Sequence, residues 1–391
     1  MERTSVTVGE QSRRHEEILR FLRAPERLAL AKILFLALLT IAALFLLDAG
    51  VFRTFYSRYI QPYSYAGAFE MVLRIGREKQ FTRPHRALVL GDSQMGEGFS
   101  ARVADEVGEK SGWEFLNAAS GGASMRSWYY MVRDLDPDRT RFDVIVLPLR
   151  GYADVDDGPF RADYEFDLRM MIARLRLSDV PEFSASFLTL PKKMEVIRGS
   201  LFEGLVYRRD LREFLRKPGE RMRSLEACRI DCAAGQYAYQ GYTEDLSGLW
   251  VDWASDTFHF PPSVSEQSRW EIKGLSNFRE WSVRGFERAY RKAWLGRIIQ
   301  RYSGTRTRFL IISLPYRPFP IPVSWPADSD SFAVQASKNP AVTVLEEHLF
   351  EDLQRPENFW DVFHMNRKGR DLFSRRLASA LIRRLDPHSE H

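Results

Sequence analysis

The chain has 391 residues, enough for one large domain or two modest ones, and its 45% hydrophobic and 28% charged residues are the composition of a folded protein rather than a disordered one. Its formal net charge is +5, but the arginines are interleaved with acidic and aromatic residues instead of gathered in one block, which argues against nucleic acid as a partner. No phosphate loop, dinucleotide fingerprint or metal-ligand cluster is visible, so no cofactor and no metal are expected.

Arg13, Arg14, Arg20, Arg23 and Arg27 precede an apolar run from Ile33 to Leu47 that only Thr40 interrupts. With Lys32 and Asp48 at its ends, the stretch from Leu28 to Phe52 approaches the roughly 20 residues needed to cross a bilayer. A buried core helix would show a polar face within the run, and a cleaved signal peptide would show a small-x-small exit where Leu46-Leu47-Asp48-Ala49-Gly50 stands. The reading is an uncleaved, single-pass signal anchor in the cytoplasmic (inner) membrane. The positive-inside rule puts residues 1–27 in the cytoplasm and everything after Phe52 outside, in the periplasm or beyond the cell.

Residues 53–84, rich in Tyr and Arg, form a membrane-proximal connector with a short helix around Ala66 to Arg77. The main domain, residues 85–391, opens with strand Arg86–Leu90, helix Phe99–Lys110, strand Trp113–Asn117, helix Ser127–Asp134 and strand Phe142–Leu149. This βαβαβ alternation predicts an α/β domain with a mainly parallel sheet. From about 160 to 270 the rhythm is lost in an insertion. It holds helix-like stretches at 166–176 and 208–215, then an aromatic, Gly-containing section up to Pro262. Cys228 and Cys232 lie there; two thiols make no zinc site, and in an oxidising compartment they form a small local disulfide, two buried thiols being the alternative. Phe278, Trp281, Phe286, Tyr290, Trp294 and Ile298 then mark one face of a long helix. Strand Phe309–Leu314, a Pro-rich loop from Pro315 to Pro326, a last strand at Val342–Leu345 and a helix from Arg370 to Leu385 complete the domain.

Gly91-Asp92-Ser93 ends the apolar run Ala87-Leu88-Val89-Leu90 and is followed by Gly96 and Gly98, the pattern of a serine nucleophile on a strand-to-loop turn. A serine hydroxyl attacks a carbonyl only when a neighbouring imidazole takes its proton. Asp361-Val362-Phe363-His364 supplies that imidazole, with a carboxylate one turn away to accept the Nδ1 proton. His85, His259 and His348 lack the Asp-x-x spacing, and His15, His388 and His391 lie in the terminal segments. The plainer alternatives are a turn serine at Ser93 and a helix cap at Asp361. A tetrahedral intermediate also needs donors for its oxyanion, and the Ser93 amide is one.

The strand before the serine, the turn Asn117-Ala118-Ala119-Ser120-Gly121-Gly122, and the Asp-x-x-His before the terminal helix resemble, in combination and order, the SGNH (GDSL-type) hydrolase family. The resemblance covers roughly residues 85–160 and 300–385. It implies a three-layer SGNH-like fold and a triad of Ser93, His364 and Asp361. It also implies a second oxyanion donor from the Gly of Asn-x-x-x-x-Gly, here Gly122. The family's third donor is an Asn in a Gly-x-Asn-Asp block. Here Arg150-Gly151-Tyr152-Ala153-Asp154 puts Ala153 at that place, and losing one donor costs about a hundredfold to a thousandfold in rate. Either another group substitutes or the acceptor is held better than water.

Leu147-Pro148-Leu149-Arg150 and Leu314-Pro315-Tyr316-Arg317 carry two arginines to the carboxyl edge of the sheet, where ligands bind in open parallel sheets. Arg150 and Arg317 are candidates for an anionic glycan or a lipid-linked phosphate, against a structural ion-pair role. Tyr237, Tyr239, Tyr242, Trp250, Trp253, Phe258 and Phe260 in the insertion are either a sugar-stacking surface or a satellite core. Anchored members of the family modify cell-envelope polysaccharides, some beside a multispanning membrane O-acyltransferase that delivers the acyl group. The resemblance therefore implies O-acylation, with acetyl favoured, or deacylation of an envelope or exported glycan. Two other readings stay open: a lipase or thioesterase with the same triad, and a non-catalytic accessory subunit of a membrane acyltransferase complex.

Overall fold

The computed structural model describes residues 25–156, 164–274, 282–283, 285–320 and 327–385. Five parallel strands make the central sheet: β1 (His85–Val89), β2 (Trp113–Asn117), β3 (Val144–Leu149), β4 (Arg308–Ser313) and β5 (Val342–Val344), in the order β2-β1-β3-β4-β5. Alternate side chains serve opposite faces, as the period of two requires. Leu88, Leu116, Ile145, Leu147, Phe309 and Ile311 belong to one apolar layer, and Ala87, Val89, Phe115, Val146, Leu310 and Ile312 to the other. Burial on both faces explains why the strands read as continuous apolar runs.

The helices include α1 (Pro25–Leu47), α2 (Tyr65–Glu78), α3 (Ser93–Gly98), α4 (Ala101–Gly108), α5 (Met125–Leu135), α6 (Leu190–Leu201), α7 (Glu203–Arg216), α8 (Pro218–Ala238), α9 (Gly285–Arg301) and α10 (Arg367–Leu385), with further short ones at Glu165–Met171, Val180–Ala185, Glu266–Gly274 and Phe332–Ala336. α2, α5 and α9 contribute to the first layer; α3, α4 and α10 contribute to the second. The architecture is thus a helix–sheet–helix sandwich.

α1 runs on through a π turn at Asp48–Phe52, and Ala29–Phe52 is a 24-residue helix whose most apolar 18-residue stretch has a mean hydropathy of 2.6. At 1.5 Å per residue it is about 36 Å long, enough to cross a hydrocarbon core of roughly 30 Å. It is the one helix among the described residues long and apolar enough to do so.

Three sequence expectations need correction. The helix expected at Phe99–Lys110 is shorter, Ala101–Gly108, and a separate helix, Ser93–Gly98, stands before it where only a turn was expected, beginning at Ser93 itself. They part at Phe99–Ser100 because long-range bonds capture the backbone there: the Phe99 carbonyl accepts from Asn117 Nδ2 (2.8 Å), and Ser100 N donates to Ser374 Oγ (2.8 Å). The section after Leu215, read as aromatic and irregular, contains the 21-residue helix α8, and Cys228 and Cys232, one turn apart on it, are disulfide-bonded. The helix expected at 166–176 is shorter, Glu165–Met171 followed by a 3-10 turn. Of the long-helix face, Tyr290, Trp294 and Ile298 are buried on α9, whereas Phe278 and Trp281 lie outside the described residues.

Candidate active site

Gly91 makes the turn out of β1 possible. A Cβ there would lie 2.2 Å from Met95 Cβ, so any larger residue collides with the first turn of α3. Asp92 caps that helix, its Oδ1 accepting from Gln94 N at 3.0 Å. Ser93 is thereby held as the first residue of α3, at the carboxyl end of β1, the strand second from the β2 edge of the sheet.

His364 Nε2 is 2.9 Å from Ser93 Oγ, and its Nδ1 is 2.7 Å from Asp361 Oδ2. With Asp361 accepting the Nδ1 proton, Nε2 is left as the acceptor for the serine hydroxyl. Asp361 Oδ1 also accepts the backbone N–H groups of Phe363 (2.8 Å) and His364 (2.7 Å). The capping alternative thus describes a second task of the same carboxylate. Burial opposes charge on the His364 ring, but the Asp361 hydrogen bond and charge outweigh it, with help from Glu97 and Asp92, and the imidazole is raised above its usual value.

The loop carrying His364 is locked to its surroundings. Trp360 N donates to His364 O (3.1 Å), Phe359 and Met365 form a bridge, and Trp360 packs in a tilted arrangement on Tyr242 of the insertion with ring centroids 4.1 Å apart. Arg370, buried on α10, donates from Nη1 to the carbonyls of Gly96 (2.9 Å) and Glu97 (3.0 Å), tying the terminal helix to the last turn of α3. The remaining described histidines are used elsewhere: His85 stacks on Trp113, His259 on Trp250, and His348 pairs with Glu351.

The second Gly-rich turn is stitched to the first. Ala118 N donates to Val89 O, Ser120 N and Trp128 Nε1 donate to Gly91 O, and Asn117 Oδ1 accepts from Ala119 N. Gly122 follows two residues later with φ +74°, a left-handed conformation that favours glycine.

Ala153 is buried between Tyr152, whose hydroxyl donates to Leu345 O at 2.9 Å, and Asp154, which pairs with Arg288 and Arg291 and accepts from Phe332 N. That segment is occupied with packing. Arg150, three residues earlier, brackets the serine instead: its Nε donates to Gln94 Oε1 at 2.8 Å and its Nη2 lies 3.6 Å from Asp92 Oδ2. Arg317, by contrast, is buried at 3% exposure with its guanidinium 4.0 Å from the Tyr316 ring centroid. The two arginines therefore do not form one matched pair facing solvent.

Gln94 is the side chain beside Ser93 that sequence reasoning missed. It is buried, accepts from Arg150, and its Nε2 lies 3.4 Å from both Tyr316 O and Phe363 O. It links the serine turn, the β3 and β4 ends and the histidine loop. Only its place directly after the serine hinted at a role.

The insertion aromatics divide between packing and surface, with Tyr237, Tyr242 and Trp250 42, 45 and 53% exposed. Trp253, Phe258 and Phe260 pack on the second core layer, Tyr237 OH donates to Asp105 (2.7 Å) and Tyr239 OH to Glu97 (2.5 Å). Among the described residues no three His, Cys, Asp or Glu side chains are grouped to hold a metal ion. No protein-family model matches the chain, and no curated protein matches it.

Proposed function

We propose that this chain is a membrane-anchored, SGNH-like acyl-transfer enzyme working outside the cytoplasm, with Ser93 as nucleophile, His364 as general base and acid, and Asp361 orienting the imidazole. The observation that carries the reading is the continuous Ser93–His364–Asp361 chain at 2.9 and 2.7 Å, assembled from segments 271 residues apart. Ser93 Oγ bonds to the carbonyl carbon of an acyl donor as its proton passes to His364 Nε2. The intermediate collapses, and the leaving oxygen takes that proton. An acceptor hydroxyl, from a glycan or from water, then gives its proton to His364 and attacks the acyl-enzyme, releasing Ser93.

The Ser93 and Gly122 amides are the backbone donors for the oxyanion. Arg150 takes the part of the absent Asn: it contacts both neighbours of Ser93, and a guanidinium there stabilises developing negative charge. The basic segment before α1 is cytoplasmic and the sheet domain lies outside, so the substrate is a cell-envelope or exported polysaccharide and the moved group is acetyl. The donor is an acyl ester or an acyl group relayed by a multispanning membrane acyltransferase.

The test is a serine-directed fluorophosphonate and an activated acetyl ester offered to the full chain in detergent, beside Ser93→Ala. Labelling and ester turnover that vanish in the variant are expected. A folded wild-type chain that neither labels nor turns over overturns the enzyme reading and leaves the accessory-subunit one.

A further inference from the structure

The insertion carries an apolar stripe that its own fold does not cover. On α6, Leu190, Met194, Ile197 and Leu201 are 68, 52, 38 and 44% exposed. Their spacing of four, three and four residues puts them within an arc of about 60° at 3.6 residues per turn. The buried side of the same helix is Val196, Gly199 and Ser200, well round from the stripe. Lys193 and Arg198 fall on either flank. Exposed leucine side chains are ordinary singly, but a row of four along one helix marks a surface that meets something apolar.

The end of α6 says what that is. Phe202, the next residue, packs on Phe45 of the anchor helix with ring centroids 4.4 Å apart. Arg53 Nη2 donates to the carbonyls of Ser200 (2.5 Å) and Leu201 (3.2 Å), and Gly204 N donates to Asp48 Oδ1 (2.8 Å). A Cβ at Gly204 would lie 2.8 Å from the Phe52 ring, so the backbone is pressed against the anchor. Phe45 lies seven residues before Phe52, which is about 10 Å along the helix. If α1 spans the bilayer, Phe202 is level with hydrocarbon rather than water, and α6 leaves that point with its stripe exposed.

We infer that α6 is an interfacial helix, its stripe of Leu190, Met194, Ile197 and Leu201 buried in the outer leaflet of the lipid bilayer while Lys193 and Arg198 reach the headgroup phosphates. The occupant of the stripe is the lipid surface itself, and the apolar face is continuous with the anchor that defines the membrane. The domain is therefore held at two places, with the insertion as its second foot. Apolar area and flanking basic residues are what bind such helices at a bilayer interface. The inference rests on the membrane-anchor reading of α1.

The test places a nitroxide on the full chain in vesicles of phosphatidylcholine and phosphatidylglycerol. Cys228 and Cys232 are bonded to each other, so Leu190→Cys or Met194→Cys supplies a new reactive thiol. Leu39→Cys in the anchor and Lys338→Cys on exposed loop surface are the references. Labels at 190 and 194 should be open to oxygen and protected from a water-soluble nickel chelate, as at 39 and unlike 338. Labels at 190 and 194 as open to nickel as 338, with 39 still protected, overturn the inference and leave the anchor standing. Nickel access at 39 as well removes the anchor reading and the inference with it. Labels open to nickel in vesicles but shielded in native membranes show that a membrane-protein partner covers the stripe, which also overturns it.

Discussion

Arg150 touches the residues on both sides of Ser93, and this arrangement separates two roles for it. A guanidinium that stabilises the oxyanion acts in the transition state, so Arg150→Ala should lower kcat about a hundredfold to a thousandfold on neutral and acidic esters alike. A guanidinium that binds an acidic sugar would instead raise KM for acidic substrates alone. Steady-state kinetics on a matched neutral and acidic pair decides between them. Asp361 can be tested through the ring it holds. The raised imidazole keeps its proton to higher pH, and only the unprotonated ring accepts from Ser93, so kcat/KM should fall as pH drops through a value above the ordinary 6.5. Asp361→Asn removes the hydrogen bond and charge that raise it. The acid limb of the profile should then move to lower pH while kcat drops by about four orders of magnitude. An acid limb that stays in place would mean that another group sets it.

Elements differ in how much of them the sequence discloses. β2 occupies Trp113–Asn117 as the apolar pattern predicts, and the other sheet strands fall within one or two residues of expectation, because a strand buried on both faces must be apolar throughout. Ser93, Asp361 and His364 were legible for a related reason: each sits in a short segment whose local spacing already serves its chemistry. Gln94 was not, since its partners Arg150, Tyr316 and Phe363 come together only when the β3 and β4 ends and the histidine loop converge on the serine turn. α8 was hidden differently. Its buried residues include Arg221 and Cys228, which no apolar periodicity marks; Arg221 is held by Tyr59 O (2.7 Å) and Asp210 (2.9 Å). The disulfide on α8 closes a loop of a few residues and so contributes about 2 kcal/mol in the chain-entropy account. Cys228→Ser with Cys232→Ser should lower the melting temperature by only a few degrees and leave ester turnover unchanged. Loss of turnover would mean that the bond organises the site through Tyr237 in the last turn of α8 and Tyr239 just after it.

At the scale of the whole molecule, the long apolar helix α1 is attached to the rest of the chain through a small, largely buried charge cluster. Arg53 reaches Asp48 (3.0 Å) and Glu203 (3.3 Å), both nearly inaccessible, at the junction of α1 with α7. Burial, and then the neighbouring Asp48 charge, push the Glu203 carboxyl up to about 7, although Arg53 and Arg174 oppose this. A carboxyl that binds its proton more tightly when docked than when unfolded favours docking below its ordinary value of 4.5. That contribution is lost as pH rises through about 7. The junction should therefore be firmer at pH 5 than at pH 8. Glu203→Gln imitates the protonated acid at every pH, and Arg53 keeps Asp48 and the Ser200 and Leu201 carbonyls as partners. Thermal unfolding of the full chain in detergent should show Glu203→Gln more stable than wild type at pH 8, by a few degrees, and nearly equal to it at pH 5. A variant less stable than wild type at pH 8 would mean that the ionised Glu203–Arg53 pair outweighs burial, and that α1 and α7 are joined by charge rather than despite it.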